Sequence, residues 1–437
     1  MKVRMLPVFL ALAALASGET VVLRNFTLID GTGRAPVANA GLVITDGRIT
    51  YAGPASGLKA PSGARTADLG GKFIMPGIIN LHGHLGNVVG LAQDPKFFTR
   101  ENVNSQLDTY AKYGVTSMLS MGSDQPVIEK MRAEQRAGRP RRARIFTALR
   151  GFAWKGGYPT TVPGMKGVPY EVSTPAEVEA AMNDLAPKHP DVVKVWVDDH
   201  LGKEQKIPTP ISLAIIKAAK KHGLHTCAHI FYYEDAKALA EGGLYACVHS
   251  VRDRDVDAAL ISAMKKNGTW QVGTLAREMS TFIFAKPPAF LSDPFFAMGT
   301  TPSVISTLRS DAFLKKQNAD HDLPKYPGFL ATAQRNLKKL YDSGVKVGFG
   351  TDSGPPARFS GFSEHLEMDL MAQAGFTPMQ IITIFSKNSA EFLGARDLGT
   401  IEKGHWADLV VLAKNPLDNI RNARSIEAVY IAGNKVR

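Results

Sequence analysis

The stretch VVKVWVDDHLGKEQKIPTPISLAIIKAAKKHGLHTCAHI, residues 192–230, holds two short and almost wholly apolar runs, 192–199 and 225–230, with a helical segment, SLAIIKAAKKHG, between them. A strand covered on both faces reads as such a run, and a helix joining two of them is the sequence form of a βα unit around a buried parallel sheet. The same form recurs outward in both directions. GIINLHGH (77–84), GVTSMLSMG (114–122) and RIFTALRG (144–151) precede it, and YACVHSV (245–251), TWQVGTL (269–275) and VKVGFGTD (345–352) follow. Eight candidate strands predict an α/β fold with a (β/α)8 TIM barrel over residues 74–398. The long segment 287–327, rich in Pro, Phe and Asp, reads as an insertion over the barrel mouth. Residues 19–73 and 399–437 revert to short alternating runs separated by turns such as DGTG and TDGR, which predicts a small β-sandwich domain built from both chain ends.

With 437 residues and 44% hydrophobic content, the chain can bury one large core or two. Its opening, MKVRMLPVFLALAALASGE, sets Lys2 and Arg4 before an apolar stretch too short to span a bilayer and then small residues. That is the pattern of a signal peptide over 1–18, cut after Ala16 or Gly18, and the expected destination is periplasmic or extracellular. Two cysteines, Cys227 and Cys247, cannot build a disulfide framework in a chain this long, so core packing is their expected role. The formal charge of +12 is scattered except for RPRRAR at 139–144, which reads as a solvated loop. Neither nucleic acid nor membrane is expected as a partner, and homo-oligomerisation is left open.

The chemistry concentrates at strand ends. Residues two apart on a strand share a face, so His82 and His84 are expected to converge at the barrel's catalytic mouth. Lys194 sits inside an apolar strand, where a cation is costly unless it is paired, neutral or chemically altered. His229, His249 and Asp352 close the fifth, sixth and eighth strands. Imidazole and carboxylate together suit zinc, with manganese, iron or cobalt as alternatives, and this many donors exceed what one tetrahedral ion needs. Two divalent ions are expected.

These residues resemble the amidohydrolase superfamily, in the binuclear-metal branch related to imidazolonepropionases and exported Xaa-Pro-type dipeptidases. The likeness rests on MPGIINLHGH, Lys194, His229, His249, GTDSG and the run EHLEMDLMAQAGFTPMQIITIFSKNSAEFLG followed by GTIEKGHWADLVVL. It implies that His82, His84 and Asp352 hold one metal, that His229 and His249 hold the other, and that a carbamylated Lys194 bridges the two. It further implies hydrolysis of an amide or peptide bond by a metal-bridging hydroxide, with Asp352 as the catalytic proton carrier.

The substrate expected is a dipeptide or an N-acyl amino acid. Tyr232 and Tyr233, just after the fifth-strand histidine, are candidates for its carbonyl, and Arg150, Arg277 and Arg358 for its carboxylate. Asn87 is a further candidate. Alternatives are a cyclic-amide (imidazolone-type) or lactone hydrolase, a deaminase, or an inactive exported metal-binding protein. A deaminase would need a glutamate closer to His229 than Glu234.

Overall fold

A computed structural model describes residues 19–437, and the expected signal peptide lies outside the described residues. All eight strands form. They are β1 (Ile78–Gly83), β2 (Val115–Ser120), β3 (Arg144–Thr147), β4 (Val193–Trp196), β5 (Thr226–His229), β6 (Ala246–Val248), β7 (Trp270–Gly273) and β8 (Val347–Phe349). Neighbours from β1 to β3 and from β4 to β8 pair in parallel. Between β3 and β4 the chain kinks at Leu149, whose φ is +56°, and the extension Phe152–Trp154 makes the pairing with β4 instead. A parallel bridge between Gly83 and Ser353 joins β8 to β1 and closes the barrel.

Both faces of the strands are covered, which is why the runs are apolar throughout. Ile79, Leu81, Leu119, Cys227, Val248 and Val272 pack inside the barrel. Val193, Val195, Ala228, Val347 and Phe349 face outward onto helix residues such as Ile215, Leu239 and Leu337. Two glycines of β8 and its end make the inner packing fit. A Cβ on Gly348 would lie 2.5 Å from Leu81, and one on Gly350 would lie 2.6 Å from Val272 and 2.9 Å from the Cβ of His82. The outer helices are bounded locally: Thr174 and Glu177 form a capping box on Pro175–Leu185, while Asp257 caps Ala258–Asn267 and left-handed Gly268 ends it.

Strands from both chain ends meet in one eight-stranded sheet, in which Phe73–Pro76 pairs antiparallel with Leu409–Leu412. Leu23, Leu42, Ile49, Leu409, Val411 and Tyr430 share its core. The basic run 139–144 stitches this sheet to the barrel. Arg144 forks onto Asp408 at 2.7 and 3.0 Å, and Arg139 donates to the carbonyl of Ala432. Two of its four arginines are thus held in contacts between the sheet and the barrel.

The segment between β7 and β8 folds as short helices on an aromatic cluster of Phe284, Phe290, Phe296 and Phe362, with the Tyr113 hydroxyl donating to the carbonyl of Phe295 at 2.7 Å. Its end carries Asp320, Tyr326 and Phe329 to the barrel mouth. Among the described residues, no helix is long and apolar enough to cross a membrane.

Candidate metal centre

The six expected ligands come together at one end of the barrel. His84 Nε2 lies 3.0 Å and His82 Nε2 lies 3.4 Å from Asp352 Oδ1. The rings of His82 and His249 are 4.8 Å apart, and His249 Nε2 faces His229 Nδ1 at 3.0 Å. One donor atom each from His82, His249 and Asp352 fall within 4.8 Å of one another. Lys194 is fully buried on β4, its stem held where a Cβ on Gly122 would come within 2.9 Å of it.

The way these side chains converge departs from simple alternation. Ile79 and Leu81 fill the barrel interior, so a strict period of two would turn His82 away with Asn80. A register shift between Asn80 and Gly83 reorients the strand end, and the His82 carbonyl accepts the Asp352 amide at 2.7 Å. His249 and Asp352 both sit in the left-handed region, with φ of +69° and +58°. Non-glycine residues rarely adopt it unless the surroundings hold them there. Cys247, two residues before His249, does not share an inward face with it but packs in the outer core, whereas Cys227 lies inside the barrel, so both cysteines serve core packing as expected.

Most of the imidazoles are held from behind. Ser123 Oγ meets His84 Nδ1 at 2.8 Å, Thr274 Oγ1 meets His249 Nδ1 at 2.6 Å, and Asp198 Oδ2 meets His229 Nε2 at 2.9 Å. Such partners fix the tautomer and the aim of a metal-binding histidine. Behind β1 and β8, Oε1 of buried Glu364 accepts from Asn80, Thr351 and Ser353 at 2.6, 2.8 and 2.7 Å, and Asn80 in turn accepts the amide of His82.

Comparison with known proteins agrees with this geometry. The Amidohydrolase family profile matches residues 73–436. The chain belongs to the amidohydrolase family. It is 24% identical over 425 residues to a 5-methylthioadenosine/S-adenosylhomocysteine deaminase of Symbiobacterium thermophilum, covering 90% of this chain and 85% of that one. It is 25% identical over 390 residues to an imidazolonepropionase of Porphyromonas gingivalis, covering 85% and 83%. Among solved structures, a Xaa-Pro dipeptidase with bound methionine in its active site superimposes with a TM-score of 0.74 at 21% identity, covering 95% of this chain and 99% of that one. The ochratoxinase of A. niger gives 0.71 at 17%, covering 96% of each. This amidohydrolase is therefore a hydrolase of the class that acts on carbon–nitrogen bonds, and the family typically binds metal.

The donor set fits divalent ions. Burial pulls His82 and His249 well below the ordinary histidine range and His229 down to about 3, so all three rings are neutral and able to donate a lone pair. Burial opposes the charge on Asp352, yet Arg358, His82 and His84 outweigh it and hold the carboxylate ionised. Nζ of Lys194 and Nδ1 of His82 are buried without a hydrogen-bond partner among the described residues. Buried polar atoms are rarely left so, and a ligand supplied from outside the chain would give the Lys194 amine a partner. Desolvation also draws the Lys194 amine down to about 8.

The amidohydrolase site opens into a cavity of about 420 Å³, within the range of small-molecule pockets. Its walls are Tyr158, Val162, Met165, Trp196 and Leu201 from the loops and strand ends after β3 and β4, with Phe231, Tyr326, Phe329, Pro355 and Pro356 completing them. Arg277 and Arg358 reach it. Arg358, however, is bonded to Asp352 through its Nη1. The other substrate candidates lie elsewhere. Arg150 donates to the carbonyls of Val168 and Pro169, the Tyr232 hydroxyl to Asp199, and the Tyr233 hydroxyl to Asp257. Asn87 donates to the carbonyl of Ser123, two bonds behind His84. The residue that sequence reasoning missed at the mouth is Tyr158, whose ring lies 5.5 Å from His229 and 4.0 Å from His200 and whose hydroxyl is pushed up to about 12 by burial. Nothing periodic in its loop marks it. Asp198 was also missed, although the acidic end of VVKVWVDD carries it.

Proposed function

We propose that the protein is an exported binuclear metallohydrolase that cleaves an amide or peptide bond adjacent to a free carboxylate. The observation that carries this reading is the convergence of His82, His84, Lys194, His229, His249 and Asp352 at one end of the barrel, where four of them, His82, His84, His229 and Asp352, line a cavity that Arg277 also lines. His82, His84 and Asp352 would hold one ion and His229 and His249 the other, zinc being the expected metal. Lys194, carbamylated by carbon dioxide, would bridge them. Its neutral amine is the form that adds to carbon dioxide, and the carbamate exchanges a costly buried cation for an anion between two cations.

When bound, the ions supply an activated water and a polarised carbonyl. Asp352 Oδ1, which faces His82 and His84, takes the proton of the attacking water and returns it to the leaving nitrogen. Arg358 on the other oxygen of Asp352 keeps the carboxylate ionised between those events. Tyr158 and Trp196 exclude water from the apolar side of the cavity. Arg277, which lines the cavity, orients the substrate carboxylate.

The curated relatives favour a second reading, ring opening or deamination. For deamination, Glu234 is badly placed: its side chain is 70% exposed and accepts from Arg254. A screen of zinc-loaded protein in bicarbonate against dipeptides, N-acyl amino acids, cyclic amides and lactones tests the proposal. Carboxylate-bearing linear amides should lead, and amidating their carboxylate should lower kcat/KM about tenfold or more. Faster turnover of ring substrates would overturn it.

A further inference from the structure

Three aromatic rings line the cavity without belonging to any hydrophobic core. Phe231 follows β5, while Tyr326 and Phe329 stand at the start of the helix Tyr326–Asp342. Phe231 meets Phe329 edge to face at 5.1 Å, and Tyr326 lies 6.4 Å from Phe329. Among the described residues, none of the three packs into the clusters that hold the barrel, the sheet or the insertion together. The Tyr326 hydroxyl is bonded to Asp320 at 2.6 Å, which leaves its ring as apolar surface. Large apolar side chains gathered at a cavity instead of a core mark a surface for an apolar ligand group.

Their place fixes which part of a substrate they meet. Arg277 Nη1 donates to both oxygens of Glu278, at 3.1 and 3.0 Å, and Glu278 lies 3.1 Å from Nε of buried Arg252. The Arg252 guanidinium in turn lies over the Phe231 ring, 4.5 Å from its centre. A continuous chain of contacts therefore runs from Arg277 to the aromatic corner, and the charge of Arg277 also reaches the Tyr326 hydroxyl. A carboxylate held by Arg277 would have the side chain on its own Cα within reach of these rings. The charges beyond the rings are paired among themselves: Lys203 lies 2.5 Å from Asp322 and 3.9 Å from Asp320, and Lys325 lies 2.8 Å from Asp322. We infer that the amino acid whose carboxylate Arg277 orients bears a bulky apolar side chain, seated against Phe231, Tyr326 and Phe329, and that Phe329 sets this preference. The inference rests on the proposed amide hydrolysis and deepens it.

N-Acetyl derivatives of glycine, L-leucine, L-phenylalanine and L-lysine are assayed on the zinc-loaded protein, and their binding to the Asp352→Asn variant is measured by calorimetry. The kcat/KM value should rise at least about tenfold from glycine to leucine and phenylalanine, as burial of such a side chain provides, and lysine should trail both. Phe329→Ala should lower the phenylalanine-to-glycine ratio about fivefold or more, since one wall of the seat is removed. A ratio taken within one preparation does not depend on the fraction of protein that is folded. A flat series of cleaved compounds, or a ratio that Phe329→Ala leaves unchanged, overturns the inference and leaves amide hydrolysis standing. Lysine ahead of phenylalanine overturns it in favour of recognition by Asp320. Binding in the expected order without cleavage of any member overturns amide hydrolysis and keeps the apolar seat. Absence of both cleavage and binding overturns both readings.

Discussion

Replacing Asp198 by Asn removes one charge from behind His229 while keeping the side chain's shape. In the native protein, burial opposes the charge on Asp198, but the bond from His229 and the fields of Arg252 and Arg277 hold it ionised, far below the ordinary carboxylate range. An ionised carboxylate only accepts, so the proton in the 2.9 Å contact sits on His229 Nε2, and Nδ1 is the lone-pair atom. That atom faces His249 Nε2 at 3.0 Å, toward the space an ion would fill. A hydrogen bond to a charged acceptor contributes about 1.5–3 kcal/mol and one to a neutral amide about 0.5–1.5 kcal/mol. The difference, about 1–2 kcal/mol, weakens the ion held by His229 and His249 roughly 5- to 30-fold, at the lower end of what outer partners of metal ligands contribute. Competitive titration of zinc against a chromophoric chelator resolves the two binding constants. One constant should fall by that factor while the other, set by His82, His84 and Asp352, stays within about twofold. Unchanged constants, or an equal fall in both, would refute the tautomer assignment and the role of Asp198 with it.

Lys194→Ala should retain only one ion per chain by elemental analysis and lose most turnover, with partial rescue by added short carboxylic acids; two ions and normal turnover would exclude a bridging role. Asp352→Asn should fold but lose about a hundredfold or more in kcat, as expected for removal of a proton carrier. Glu364→Gln loses the charge behind three hydrogen bonds in the β1–β8 seam, and should lower the unfolding free energy by about 1–3 kcal/mol in denaturant titrations. Burial pushes Glu367 up to about 8. Its folded pKa therefore exceeds its unfolded one, so the folded state binds the proton more tightly, and stability falls as pH rises through the window from about 4.3 to 8 before levelling off. Glu367→Gln should remove a part of that fall on the order of a few kcal/mol, read from denaturation midpoints at pH 5 and 8.5. Parallel curves for the two proteins would contradict it.

What the sequence announces and what it hides follow from where each group is mounted. Strands buried on both faces must be apolar, so the barrel is visible as eight runs, and a lysine or histidine inside such a run stands out against its neighbours. Lys194, with Val193 and Val195 turned to the helices, keeps the period of two and faces the site as expected. His82 reaches the same place by a different route. Its strand slips register after Asn80, a departure that period-two reasoning does not contain. His249 shows the converse, since its left-handed backbone carries the ring to the site but sends Cys247 outward, which no alternation rule foretells. Beyond the strand ends, chain direction is set by turns and helix starts. Tyr233 opens a helix, and its hydroxyl is drawn to Asp257, while Arg150 is consumed by two loop carbonyls. Tyr158 and the Asp320–Phe329 segment arrive from loops with no periodic signature. The candidate metal ligands, riding on or just past the strand ends, are thus open to sequence reasoning, whereas the groups that line the cavity mouth are fixed by tertiary contacts of the loops. Two amidohydrolases can for that reason share every strand-borne ligand and differ in the bond they cleave.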